Sequence, residues 1–206
     1  MSIRSKLYLK KGWNLVSFYQ ENIDFDSITK NKHILEIKNS NETYNKNIPL
    51  ELNTLNIIDI KSGYWIKTDQ KFFLEVEGTL NKKDVSIKLK KGWNLIGYPY
   101  KFSTDINKII EYNILELKST NSNYNSNVPK QFNTLDKLES NIGYWYKVDK
   151  EITINLTYPF EYNSKDDDNN VKGLIVFDEI SPKELSFKSQ RSELLNSSLC
   201  FSPINM

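Results

Sequence analysis

Alanine is absent from this chain of 206 residues, and cysteine and histidine each occur once, as Cys200 and His33. One cysteine excludes an intramolecular disulfide, so oxidative stapling takes no part in the fold. One histidine excludes a multi-histidine zinc set and leaves general-base chemistry with a single candidate. No run approaches the ~18 apolar residues a membrane-spanning helix requires. Residues 1–7 carry Arg4 and Lys6 with no apolar run behind them, so a cleaved secretory signal is not expected. Net charge is only +2, split as +5 over residues 1–160 and −3 over 161–206, and neither block forms a basic stripe. Nucleic acid and membrane are therefore not expected as obligatory partners. No phosphate-binding glycine loop, zinc spacing or nucleophile elbow is present, and no cofactor is expected.

Aromatic residues are plentiful at 13%, with 4 Trp, 12 Tyr and 10 Phe, and hydrophobic content of 38% is ordinary for a globular chain. Asn, Lys and Ile dominate the rest, a bias typical of AT-rich coding sequence. The expectation is a folded, soluble protein in a reducing compartment.

A shift of 80 residues aligns the chain with itself without a gap. Leu9-Lys10-Lys11-Gly12-Trp13-Asn14-Leu15 falls on Leu89-Lys90-Lys91-Gly92-Trp93-Asn94-Leu95. Ile34-Leu35-Glu36 falls on Ile114-Leu115-Glu116, and Gly63-Tyr64-Trp65 with Lys67 falls on Gly143-Tyr144-Trp145 with Lys147. Residues 9–69 show 24 identities in 61 positions, and four coincident Trp residues are not a product of biased composition. The pattern reads as a duplication: module one at 1–80, module two at 81–160, and an acidic linker and tail at 161–206.

Alternation of apolar residues predicts strands at 7–9 and 13–18, joined across Lys10-Lys11-Gly12 as a hairpin. It places Trp13, Leu15 and Ser17 on one face. Further strands are expected at 34–38, 63–68 and 72–76 and at the equivalent positions of the second module. Ser103-Thr104-Asp105 ahead of Ile106, Ile109 and Ile110 predicts one short capped helix, matched more weakly behind Asp24 or Asp26. Residues 78–86 join the modules, too short a link for independent movement. Residues 173–177 are a further candidate strand. The fold class is mainly β: two tandem small modules, each with one short helix, and a C-terminal tail.

The pairs Gly12-Trp13-Asn14-Leu15 with Gly63-Tyr64-Trp65-Ile66-Lys67, and Gly92-Trp93-Asn94-Leu95 with Gly143-Tyr144-Trp145-Tyr146-Lys147, resemble a repeat of bacterial surface and extracellular proteins. They are also similar to sequences of large DNA viruses. The resemblance spans residues 7–157. It implies a non-catalytic β module used in assembly or attachment, and it implies no catalytic residues.

Retention in both modules points to scaffold: Gly12, Trp13, Leu15, Gly63, Tyr64, Trp65 and their counterparts Gly92, Trp93, Leu95, Gly143, Tyr144, Trp145 are expected in the core. On that reading Trp65→Ala or Trp145→Ala costs ~3–5 kcal/mol. Asn14 and Asn94 are expected to satisfy turn backbone. Tyr44, Asn45, Tyr124 and Asn125, in polar loops beside prolines, are the candidate partner contacts. His33 faces Asn113 in the repeat, which argues against a duplicated catalytic base. The run Asp166-Asp167-Asp168 lacks the spaced carboxylates of a calcium loop and reads as solvated linker. Asn41, Asn155 and Asn196 match the glycosylation pattern by chance in so Asn-rich a chain. The functional expectation is a structural or interaction protein, a minor virion component assembled in host cytoplasm with other structural proteins. The alternative is a carbohydrate- or surface-binding module at a cell surface or outside the cell.

Overall fold

The computed structural model describes residues 2–159, which lie within one compact unit, Met1–Glu161. The expectations for the acidic run, residues 173–177, Asn196 and Cys200 concern positions outside the described residues. In chain order the first half holds β1 (Ser2–Leu9), β2 (Gly12–Val16), β3 (Gln20–Glu21), α1 (Phe25–Thr29), β4 (Ile34–Lys38), β5 (Thr43–Asn45), a 3-10 turn (Leu50–Leu52), β6 (Tyr64–Thr68) and β7 (Phe72–Leu80). The second half holds β8 (Val85–Leu89), β9 (Gly92–Gly97), β10 (Thr104–Asp105), α2 (Asn107–Ile110), β11 (Glu116–Lys118), β12 (Asn123–Asn125), a 3-10 turn (Lys130–Phe132), β13 (Lys137–Leu138), β14 (Gly143–Val148) and β15 (Ile152–Leu156). The chain is mainly β, and every strand pairing is antiparallel.

Each half builds a four-stranded sheet, β2-β6-β4-β5 in the first and β9-β14-β11-β12 in the second. Registers correspond at the 80-residue offset: Trp13 opposes Lys67 as Trp93 opposes Lys147, and Lys38 opposes Trp65 as Lys118 opposes Trp145. β1 and β8 pair instead with β7 and β15. The expected hairpin at Lys10-Lys11-Gly12 is therefore corrected. The chain crosses there from one sheet to another, because β1 and β2 each find a partner distant in sequence. Gly12 and Gly92 belong to this corner and not to the core; both take positive φ, +93° and +96°, which an L side chain resists.

Period-two alternation then sorts side chains. Val16, Ile37, Tyr64 and Ile66 turn inward and are buried with Phe18, Ile28, Leu74 and Val76 in the first core. Ile96, Leu117, Tyr144 and Tyr146 turn inward in the second core, which also takes Ile60 from the first half. α1 is capped by Asp24, whose Oδ1 accepts from Asp26 N–H at 3.1 Å. α2 is the shorter helix, and Asp105, although paired in β10 against β13, accepts at Oδ1 from Asn107 N–H at 2.7 Å, the same i to i+2 contact that Asp24 makes. The expected short helix thus forms in both halves, five residues in the first and four in the second. The link between halves contracts to residues 81–84, since β7 extends to Leu80 to pair with β3 and β8 begins at Val85.

The halves meet in a reciprocal seam. Val16 bridges Ile142, and Ile96, its counterpart, bridges Ser62, the counterpart of Ile142. Ser17 N–H donates to Asn141 O at 3.2 Å, and Gly97 N–H to Lys61 O at 2.9 Å. A Cβ on Gly63 would stand 2.8 Å from Leu95 Cδ1 and 2.9 Å from Ile96 O; one on Gly143 would stand 2.9 Å from Leu15 Cδ1 and 2.7 Å from Val16 O. Glycine is required at both positions because the opposite half's leucine and backbone occupy the space. Gly63→Ala and Gly143→Ala are each expected to destabilise by about 1–3 kcal/mol through overpacking. Urea unfolding of the full chain checks this, and an unchanged midpoint in both variants contradicts it.

Burial raises the phenol of Tyr64 to about 12 and that of Tyr98 to about 12, and it also pushes up Tyr100, Tyr144 and Tyr146. Below the unfolded value of about 10 both states hold the proton; above it the unfolded chain releases protons the fold retains, so stability falls as pH rises. Melting temperature is expected to stay level to about pH 9.5 and to drop between about pH 10 and 12, with tyrosinate absorbance appearing as the protein unfolds. Full titration of these phenols in the still-folded protein near pH 10 would contradict this.

Candidate binding faces

The repeat leaves a set of side chains to be explained, and the structure disposes of most of them. Asn14 closes the corner between sheets: its Oδ1 accepts from Lys10 N–H at 2.8 Å and its Nδ2 donates to Lys10 O at 2.8 Å, as Asn94 does with Lys90 at 2.9 and 2.8 Å. Asn45 and Asn125 tie the loop that follows β5 or β12. Asn45 N–H donates to Asn53 Oδ1 at 2.7 Å and Asn47 N–H to Asn45 Oδ1 at 2.9 Å, with Asn125, Asn133 and Asn127 repeating both at 2.8 Å. Tyr44 lies on the inward face opposite Ile37 and packs edge-on to Phe25 at 5.6 Å, and Tyr124 packs against the second core. The four residues expected to contact a partner are therefore corrected to local structural roles, since short β5 and β12 turn these tyrosines inward and spend the amides on their own loops.

Leu15, Leu95, Gly63, Gly143, Tyr64 and Tyr144 lie in the buried interior. The tryptophans do not. Trp13 is 40% exposed and Trp93 43% exposed, while Trp65 and Trp145 are half-buried beside them. The expectation that all four are core is overturned. Trp13, Trp65 and Lys67 share parity along their paired strands, and that parity points outward; Val16, Tyr64 and Ile66 hold the inward positions. Leu15 shares the outward face yet is buried, because the other half's Gly143 sits against it.

What remains is one constellation, made twice. On the outer face of the first sheet, Trp13 meets Trp65 edge-on at 6.5 Å, Lys38 Nζ stands 4.2 Å from the Trp13 ring centroid and Lys67 Nζ 5.6 Å from it. Glu36 stands opposite Lys67 on the neighbouring strand. In the second half Trp93 and Trp145 repeat the 6.5 Å edge contact, with Lys118 and Lys147 at 4.7 and 5.5 Å from Trp93. There Glu116, its side chain only 14% exposed, binds Lys147 at 2.7 Å and Lys118 at 2.9 Å. The ammoniums of Lys147 and Lys118 hold its carboxyl below the usual carboxylate range. Lys38, Lys118, Glu36 and Glu116 were not singled out from sequence, although Glu36 and Lys38 are identical in both halves at strand spacing.

This identity contrasts with the inward face. Val16, Phe18, Ile37, Ile58 and Ile66 become Ile96, Tyr98, Leu117, Leu138 and Tyr146. The buried side mixes such substitutions with identities at Ile34, Leu55 and Tyr64, whereas Trp13, Glu36, Lys38, Trp65 and Lys67 are all identical on the outside.

His33 is fully engaged. Its Nδ1 lies 3.0 Å from Asp69 Oδ1 and its Nε2 2.8 Å from Gln70 Nε2. One proton on Nδ1 satisfies both contacts: it donates to Asp69, and bare Nε2 accepts from the Gln70 amide. Among the described residues no cluster of three or more His, Cys, Asp or Glu side chains is arranged to hold a metal ion. Two concavities stand out: a tyrosine-lined one of about 400 Å³ beside Tyr98, Tyr100, Tyr112 and Tyr158, and a groove of about 620 Å³ running between the halves past Trp13.

Compared with known proteins, the chain matches no family model, no curated protein and no solved structure.

With their indoles largely outside the core, Trp13→Ala and Trp93→Ala are each expected to cost about 1 kcal/mol, from lost ring-edge and cation–π contacts, instead of ~3–5 kcal/mol for a buried Trp. Chemical denaturation of each single variant measures this, and a loss above about 3 kcal/mol would return these indoles to the core.

Proposed function

We propose that the protein is a non-catalytic interaction protein, a minor virion component of a large DNA virus, that joins neighbouring subunits through one Trp–Lys–Glu face on each half. The observation that carries this reading is the identity of five outward side chains in both halves, where the buried positions beneath them are only partly identical. Packing alone favours the reverse, because a core constrains volume tightly and a solvated face scarcely at all. An exposed indole flanked by lysines is also the composition of an anchoring contact: large apolar area, rigid shape and charged rim. Two such faces on one chain give bivalent attachment, where the second contact forms at the effective concentration set by the first. The tandem β modules and their resemblance to repeats of viral and bacterial surface proteins agree with attachment as the task.

Mass spectrometry of purified particles from the source is expected to find this chain as a minor component, and particles without it sink the proposal. A second measurement addresses the faces. Trp13→Ala or Trp93→Ala alone should lower incorporation of the chain into particles modestly, and the two together should lower it by more than about tenfold at an unchanged fold. Full incorporation of the double variant would show that these faces are not the contact.

A further inference from the structure

We propose that the groove between the halves is a binding site for an oligosaccharide, with Trp13 and Tyr8 as its stacking surfaces. The groove is walled on one side by the first half and on the other by the turns of the second half that follow β11 and precede β14. Tyr8 is 47% exposed and backed by Phe73 at 5.2 Å between ring centroids. Trp13 carries the Lys38 and Lys67 ammoniums at 4.2 and 5.6 Å from its ring centroid and lines the groove. Facing these aromatics are Thr120, Asn121, Asp136 and Asn141, whose side chains make no hydrogen bond to any described residue. Asn141 is held rigidly by its own backbone, with φ at +63° and its carbonyl accepting from Ser17 N–H across the seam.

This pairing of surfaces selects a ligand class. A sugar ring has a C–H face that stacks on an indole or phenol and a rim of hydroxyls that both donate and accept. An amide, a hydroxyl and a carboxylate with unspent hydrogen-bonding capacity answer that rim. The charges lining the groove nearly cancel, Lys6, Lys10 and Lys137 against Asp136 and Glu139, which gives a phosphate backbone little net attraction.

The repeat predicts that this site is single. The counterpart of Tyr8 is Lys88, which is ion-paired to Glu151 at 2.7 Å, so Trp93 has no neighbouring phenol. Glycan binding is therefore expected to depend on Trp13 and not on Trp93, unlike the attachment through both faces proposed above, from which this inference is independent.

The test is titration calorimetry of the full chain with cellohexaose, maltohexaose, chitohexaose and a hyaluronan hexasaccharide, with a printed glycan array alongside. At least one hexasaccharide should bind. Trp13→Ala should weaken it by about tenfold or more, Tyr8→Ala and Asn121→Ala by roughly three- to tenfold, and Trp93→Ala by less than about twofold. Asn121 is exposed on a turn, so its variant reports on the groove even if Trp13→Ala fails to fold. No array signal together with no heat at about 5 mM of any hexasaccharide overturns the inference. So does equal loss in the Trp13 and Trp93 variants, or Trp13-dependent capture of an oligonucleotide or peptide with no sugar bound. Sugar binding by a chain that is absent from particles would leave this site standing and remove the assembly role alone.

Discussion

The seam between the halves is the constraint on which the remaining arrangement depends. Its contacts come in reciprocal pairs, Val16 with Ile142 and Ile96 with Ser62, Leu15 over Gly143 and Leu95 over Gly63. Such a contact uses one patch of structure twice, as the two-fold interface of a homodimer does. Tethering both copies in one chain frees each side to specialise. Ser17 lies wholly buried in the seam and donates from Oγ to Ile142 O at 2.8 Å, whereas its counterpart Gly97 has no room for any side chain, with Ser62 O 2.5 Å from where a Cβ would stand. The seam also explains why Leu15 is buried on a face that is otherwise exposed, and it places the second half's polar turns opposite Trp13. Without it there would be two solvated sheets and no groove.

Much of this fold was legible in the sequence, and what was not has a common cause. Strand positions followed from alternation and from the offset of 80, including 34–38 and 72–76, because side-chain parity is a local property. Parity also grouped Trp13 with Leu15 correctly. Which face turned inward was a different question, and the answer depended on what packed beneath. Trp is abundant in cores, so retained Trp suggested core; yet Ile37, Ile66 and Tyr64 already fill the inward side of the same strands. The corner at Lys10-Lys11-Gly12 was mistaken for a hairpin for a related reason. A short glycine-ended loop between two apolar runs specifies a reversal, but strand partners are chosen across the whole chain, and β1 found β7 some 70 residues away. Thr104 and Asp105 also enter a strand pair with β13, which the local pattern ahead of α2 does not show. Local signals described elements well and long-range pairings poorly.

The outer faces raise a question of energetics that the repeat helps to decide. One account of a surface cluster of two indoles and two ammoniums is retention for stability alone, through edge contacts and cation–π attraction. Each such contact contributes only about 0.5–1.5 kcal/mol at an exposed site. Stability of that size is obtained from many alternative surface residues, so it does not hold five particular side chains fixed through a divergence that replaced Ile66 by Tyr146 and Val16 by Ile96. The lysines differ in their engagement as well. Glu116 grips both of its lysines, while Lys38 and Lys67 lean on Trp13 with no carboxylate in ion-pair contact among the described residues. The same residue set thus supports two arrangements of charge, one closed on its own glutamate and one with ammoniums available to an outside group.

The surroundings of the two faces differ as well. The five outward positions are identical in both halves, whereas the residues around each face are not. Beside Trp13 stand Tyr8 and Phe73, an exposed aromatic pair; at the equivalent place stand Lys88 and Thr153, and the lysine is committed to Glu151. An aromatic pair at a solvent-exposed rung of the β1-β7-β3 sheet is a liability unless something covers it, since it invites nonspecific association. Its presence on one half only therefore argues for a use peculiar to that half. A matching pair of faces with one groove beside only one of them gives the two halves a shared outer composition and different surroundings.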